Sequence, residues 1–111
     1  MSDCVFCKIL AGEIPSKKAY EDEQVLAFYD IEPKAPVHIL VIPKQHLSGA
    51  AAVTAENSAV VAHIFEVIAR LTKELGLADY RVVTNNGPDA GQTVPHLHFH
   101  ILAGGKLGGM G

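Results

Sequence analysis

The sequence predicts an α+β fold built on a largely antiparallel sheet. Three observations carry that prediction. One long stretch has helical apolar spacing, and several short stretches read as strands. The two kinds do not alternate in the regular strand–helix–strand order that a parallel sheet needs. No internal repeat or second domain is visible, so residues 1–111 are expected to form one domain.

Near the start, Val5, Phe6, Ile9 and Leu10 fit one face of a short helix. Gly12 would end it, with Pro15 just beyond. Val25 to Asp30 reads as a strand. Residues 31–36 contain Pro33 and Pro36 and must be a loop. His38 to Ile42 is an apolar strand stopped by Pro43. The clearest helix follows, with Thr54 as its expected N-cap and Glu56 suited to its first turn. Val60, Ile64, Ile68, Leu71 and Leu75 share one face, and Gly76 is placed as the stop. His63 lies in this helix with no partner suggested and reads as a surface or groove residue. Tyr80 to Asn85 is a further strand, and residues 86–92 form a loop with strong turn chemistry. His96 to Leu102 is the last strand, followed by a glycine-rich tail from Gly104 to Gly111.

The chain is 49% hydrophobic and 19% charged, as expected of a globular protein. At 111 residues it buries a smaller share of its surface than a larger domain, a shortage that an oligomer would relieve. A net charge of −3, with acids and bases interspersed, argues against a nucleic-acid partner but not against a small anion. No apolar run approaches the length of a membrane span. The start lacks a basic segment followed by an apolar stretch, so the expected setting is the cytoplasm, with no membrane partner. There Cys4 and Cys7 are not expected to form a structural disulfide.

His96-Leu97-His98-Phe99-His100 is the most informative stretch. Side chains alternate faces along a strand, so the three histidines share one face while Leu97, Phe99 and Ile101 face the core. An exposed polar edge would more readily use Thr, Lys or Glu. A metal site would need favourable rotamers, because same-face neighbours lie roughly 6–7 Å apart at Cα. A catalytic row is the third reading, in which one imidazole attacks or shuttles protons while its neighbours orient it and bind phosphate. The preceding loop favours that reading. Gly91 permits close backbone approach, and Asn85, Gln92 and Thr93 add neutral donors for charge on a transferring phosphoryl group. As a plain turn, that loop would leave Asn85, Gln92 and Thr93 unexplained.

Cys4-x-x-Cys7 admits zinc, redox chemistry or coincidence. A redox pair would want a thioredoxin-like βαβ setting, which is missing. Structural zinc needs four ligands, commonly two Cys and two His.

His96-Leu97-His98-Phe99-His100-Ile101-Leu102 matches the His-φ-His-φ-His-φ-φ signature, and the chain resembles the histidine triad (HIT) family. The likeness extends through Phe6, Lys8-Ile9, Glu13-Ile14-Pro15, Phe28-Tyr29-Asp30-Ile31, His38, Val41-Ile42-Pro43-Lys44-x-His46 and Gly91-Gln92-x-Val94. It is most similar to the purine nucleotide-binding Hint branch, in the bacterial form with an N-terminal Cys-x-x-Cys. The resemblance implies an antiparallel five-stranded sheet with one long and one short helix, paired in a homodimer into a ten-stranded sheet. It implies a hydrolase of nucleoside phosphoramidates or related nucleotides, working through a nucleotidyl-histidine intermediate and releasing the nucleoside monophosphate.

By the same resemblance, His98 is the nucleophile, His100 binds the phosphate oxygens, His96 assists the leaving group and His38 orients the nucleophilic ring. Asp30 would accept from the ribose hydroxyls, and Val5, Phe6, Ile9, Phe28, Ile31 and Leu40 would form the purine slot. Asn85, Gly91, Gln92 and Thr93 would lie on the phosphate side. Relatives with the cysteine pair bind structural zinc through it and two histidines, which here are His46 and His96. His96 then has two claims on it. The tail is short and lacks an aromatic, which implies loose leaving-group selection. The competing reading is a non-catalytic purine nucleotide-binding regulatory protein, and a third is a zinc-dependent scaffold.

Overall fold

The structure is a computed structural model that describes residues 4–108. The end of the expected glycine-rich tail lies outside the described residues. Seven regular elements follow in chain order: α1 (Val5–Leu10), β1 (Lys18–Glu21), β2 (Val25–Tyr29), β3 (Val37–Pro43), α2 (Ser58–Glu74), β4 (Tyr80–Val83) and β5 (Phe99–Ala103). The strands form one antiparallel sheet in the order β1-β2-β3-β5-β4. The α+β expectation and the five-stranded sheet therefore hold.

Both faces of the sheet are covered. Val25, Ala27, Ile39, Val41, Phe99 and Ile101 pack with α2 through Val60, Ile64, Val67, Ile68 and Leu71. Leu26, Phe28, Leu40 and Ile42 pack on the other face with Cys4 and Phe6. A strand buried on both faces has no reason to alternate, and β2 and β3 are apolar nearly throughout.

Strand ends shift by one or two residues from the sequence reading, with β2 ending at Tyr29, β3 taking in Val37 and Pro43 and β4 stopping at Val83, and three other boundaries shift for identifiable reasons. Helix α2 begins at Ser58, not after Thr54. The Thr54 N–H donates to Asn57 Oδ1 at 2.7 Å, closing a turn that postpones the helix and leaves Glu56 outside it. Leu75 is the C-cap and is 43% exposed, so the buried apolar face ends at Leu71, with only Thr72 buried beyond it. The chain leaves the helix through Gly76, whose φ of +68° suits glycine.

The last strand begins at Phe99, three residues later than expected. Side chains and loops occupy the main-chain groups ahead of it. Thr84 Oγ1 donates to the His98 carbonyl at 2.7 Å, and the Leu97 N–H donates to Leu47 O at 2.6 Å. The facing expectation survives: Leu97, Phe99 and Ile101 lie in the α2-side core, and His96 and His98 meet Phe6 on the other face.

Candidate active site

The register of β3 and β5 builds the site. Leu40 pairs with His100 and His38 with Leu102, so His38 and His100 are diagonal neighbours on the α1 face. Their rings meet, with His38 Nε2 2.9 Å from His100 Nδ1. The Lys34 N–H donates to His38 Nδ1 at 3.0 Å, which assigns that nitrogen as an acceptor. A neutral His38 then donates from Nε2 to His100 Nδ1, and His100 is left with Nε2–H as its donor. Burial, reinforced by His98 and His38, pushes the His100 pKa down to about 4. Burial also holds His38 below its ordinary value, outweighing the pull of Asp30, whose Oδ2 is 3.5 Å away. Both rings are therefore neutral at pH 7.

His98 is held differently from the sequence expectation. His38 orients His100, not the His98 ring. The His98 ring is fixed by the main chain: Nδ1 lies 2.7 Å from the His96 carbonyl. A carbonyl only accepts, so Nδ1 carries the proton, and in the neutral ring the lone pair is on Nε2. Phe6 meets His98 edge-on at 5.0 Å, and His100 stands 4.9 Å away. This is a buried imidazole whose neutral form leaves Nε2 free for nucleophilic work, beside a neutral donor.

Next to the rings lies an apolar cavity of about 160 Å³. All seven residues expected there from the sequence line it: Val5, Phe6, Ile9, Phe28, Asp30, Ile31 and Leu40. Ile31 is 92% exposed and sits at the mouth. The sequence reading missed Ile14, Pro15, Ser16 and Tyr29, which complete the wall. Asp30 Oδ1 accepts the Glu32 N–H at 2.8 Å, so the same carboxylate shapes the loop that leads to Lys34. A larger recess of about 720 Å³ at the outer edge of β4 contains none of the expected site residues.

In the loop before His96, Asn85 and Gly91 are neighbours: a Cβ at 91 would stand 3.6 Å from Asn85 Nδ2. The side chains of Asn85 and Thr93 make no hydrogen bond among the described residues. Gln92 differs from the free donor expected, since its Nε2 already donates to Ser48 O and Val94 O.

Cys4, Cys7, His46 and His96 come together as a second cluster, with all four ligand atoms within 4.8 Å of one another. His96 Nε2–H donates to the Pro43 carbonyl at 2.9 Å, so its Nδ1 lone pair faces the cluster. That nitrogen lies 3.3 Å from Cys4 Sγ, 3.6 Å from Cys7 Sγ and 3.1 Å from His46 Nδ1. Cys7 Sγ is 3.2 Å from His46 Nδ1. The edges of a zinc tetrahedron with these donors run roughly 3.3–3.8 Å, so the set has the size to hold a metal ion. Burial, then Cys4, pushes the Cys7 thiol up, and a cation at the centre would reverse that preference. Asp30, His38 and His100 are also close enough to share an ion, but hydrogen bonds already use both His38 nitrogens.

His63 has partners after all, contrary to expectation. It bridges Asp22 Oδ2 at 2.6 Å and Glu66 Oε1 at 3.0 Å, clasping α2 to the β1–β2 turn.

A family model described as HIT domain matches residues 11–107. The chain belongs to the HIT family. An uncharacterised HIT-like protein of Synechococcus elongatus is 47% identical over 106 residues, covering 95% of this chain and 93% of its own. A HIT family hydrolase from Clostridium thermocellum superposes with a TM-score of 0.94 at 44% identity, covering 99% of this chain and 97% of its own. A histidine triad nucleotide-binding protein from Candida albicans does so with a TM-score of 0.81 at 35% identity, covering 98% and 84%.

In this HIT protein the four histidines of the site have unequal surroundings. Among the described residues, nothing claims one nitrogen of His98 and one of His100, whereas His38 has both nitrogens bonded. His96 gives Nε2 to Pro43 and aims Nδ1 at the thiols. The arrangement supports attack by His98 Nε2 on an electrophile held beside the apolar cavity, with His100 as a neutral donor to developing charge.

Proposed function

We propose that the protein is a hydrolase of purine nucleoside phosphoramidates, or of related nucleotides with a leaving group on the α-phosphate. The observation that carries this reading is His98: buried, with Nδ1 donating to the His96 carbonyl, so that the neutral ring holds its lone pair on a free Nε2. In the first step His98 Nε2 forms a bond to the α-phosphorus and the P–N bond to the amine breaks. The amine leaves with the bonding electron pair and takes up a proton. In the second step water attacks phosphorus, the P–Nε2 bond breaks, and the nucleoside monophosphate departs. His100 Nε2–H stabilises the phosphoryl oxygens, joined by Asn85, Thr93 and the main chain near Gly91. The committed His96 ring favours solvent over His96 as the proton source for the amine.

Asp30 is assigned to the ribose hydroxyls, and the apolar cavity to the purine. Cys4, Cys7, His46 and His96 are assigned to structural Zn²⁺. When bound, the ion cross-links the start of α1 to the segments after β3 and before β5, and no chemical step needs it. The outer edge of β4 has no partner strand among the described residues, and a second copy pairing there would extend the sheet to the ten strands of a homodimer. The proposed setting is the cytoplasm.

The test is turnover of adenosine 5′-phosphoramidate. Wild type should release AMP, and His98→Asn should lose activity while still binding AMP. Inactive wild type that binds AMP would instead establish the non-catalytic nucleotide-binding reading. Full activity in His98→Asn would refute the mechanism.

A further inference from the structure

We infer that Gln92 is a positioning residue, whose carboxamide holds the 85–94 loop in shape without touching the phosphate. The inference rests on the hydrolase reading above and sharpens it. Gln92 Oε1 accepts the Gly87 N–H at 2.8 Å. Its Nε2 donates to Ser48 O at 2.8 Å and to Val94 O at 3.1 Å. An amide nitrogen has two hydrogens, and both are engaged. Donation to a phosphate would break one of these bonds.

The partners show what the bonds hold. Gly87 and Val94 lie near opposite ends of the loop, so one side chain closes it. Ser48 belongs to the segment between β3 and α2, and that segment is tied twice more. The Ala50 N–H donates to Asn86 Oδ1 at 2.7 Å, and the Leu97 N–H donates to Leu47 O at 2.6 Å. Gly49 runs between these ties. A Cβ there would stand 2.9 Å from Asn86 Oδ1, so the close approach of the Asn86 side chain to this backbone suits glycine.

Both flanks of the loop are tied to the stretch that carries His98. Thr84, just before it, donates to the His98 carbonyl, and Val94, at its end, accepts from the His96 N–H at 2.8 Å. A loop freed from the 47–50 segment would therefore misplace both its own donors and His98.

Two variants approach the fastening from opposite sides. Gln92→Met keeps the length of the side chain and removes its three bonds. Ala50→Pro removes the N–H that holds Asn86, at the first position of the short 3₁₀ turn Ala50–Ala52, where proline is tolerated. Hydrogen exchange of residues 85–94 is measured on the ligand-free protein, with kcat and KM for adenosine 5′-phosphoramidate alongside. Both variants should speed loop exchange while the exchange of α2 stays unchanged. Both should lower kcat by about tenfold to a hundredfold, the scale of a small misplacement, with KM moving far less. The double variant should fall close to Gln92→Met alone, because both act on one fastening. A Gln92→Met variant with a raised KM and unchanged loop exchange would overturn the inference, since Gln92 would then be a phosphate ligand. So would a variant altered in neither exchange nor turnover. Should wild type show no turnover, the hydrolase reading fails, and exchange of the loop in the two variants still decides the fastening.

Discussion

His38→Ala isolates the pair that sets the donor on His100. His38 is 4% exposed and joins the Lys34 N–H to His100 Nδ1. Lys34 is exposed, so water can satisfy its N–H once the ring is gone. His100 Nδ1 is half-buried and left short of its donor, a loss of about 1–3 kcal/mol. At about 4 °C per kcal/mol for a chain of this size, the melting temperature should fall by roughly 4–12 °C. The effect on turnover follows from the tautomer. Loss of one donor to developing charge costs about 10²–10³ in kcat, which sets the expectation for His100→Ala. Without His38 the His100 ring still samples its donating form, so His38→Ala should cost less, about 10–10². The deciding assay is a double-mutant cycle on kcat/KM for adenosine 5′-phosphoramidate. If His38 acts through His100, the double variant matches His100→Ala within about threefold. Independent effects would multiply to about 10³–10⁵, and that result would refute the coupling.

Two further predictions concern features outside the triad. The purified protein should carry about one zinc ion, and Cys4→Ala should lose it. A ligand present at a hundredfold its dissociation constant stabilises by about 2.7 kcal/mol, so chelation should lower the melting temperature by roughly 10 °C; metal-free wild type with an unchanged melt under chelation would remove the zinc assignment. The His63 clasp should depend on pH. Glu66, then Asp22, raise the His63 pKa, so its contribution is complete below the ordinary value of 6.5 and is lost as pH rises through the folded value. Burial pushes Asp22 up, but bonds from His63, Gln24, Tyr20 and Val25 outweigh it and hold the carboxyl well below its ordinary 3.8, so its contribution is complete above that value and fades in stronger acid. The melting difference between wild type and His63→Gln should be largest between about pH 4 and 6.5, and a difference that stays flat to pH 9 would show that the charge of His63 contributes nothing.

The sheet and the long helix were legible because their apolar periods are strong. Strand β1 was not, because Lys18-Ala19-Tyr20-Glu21 is a short, partly exposed edge with a register shift between Lys18 and Tyr20, which leaves no clean alternation. Alternation placed the three histidines on one face, but it could not say which ring each would touch. His38 meets His100 only because β3 and β5 pair in one register out of several. Polar partners distant in sequence were invisible for the same reason. Gln92 reaches Ser48, and His63 reaches Asp22, across turns whose geometry no local pattern encodes. The start of β5 was misread because a strand-like sequence says nothing about side chains that occupy its carbonyls, as Thr84 does at His98.

His96 shows why these three histidines are not interchangeable. Its Nε2–H meets the Pro43 carbonyl, its Nδ1 meets the cysteines and His46, and its own carbonyl receives His98 Nδ1–H. The first bond decides the second, because a ring that donates from Nε2 must present a lone pair at Nδ1. The third decides the chemistry, because the carbonyl leaves His98 with its lone pair on Nε2. The ring of His96 therefore faces the cysteine–histidine cluster while its main chain faces His98. A carboxamide at this position could reproduce one ring contact but not both in their opposed directions, whereas any residue could supply the carbonyl. The demand for histidine at 96 thus comes from the cluster and Pro43, and in the proposed mechanism the demand at 98 comes from the reaction. A variant that keeps the backbone but not the ring, His96→Ala, separates the two: its deficit should lie first in the joining of α1 to the rest of the fold, and reach His98 only through displacement of that carbonyl.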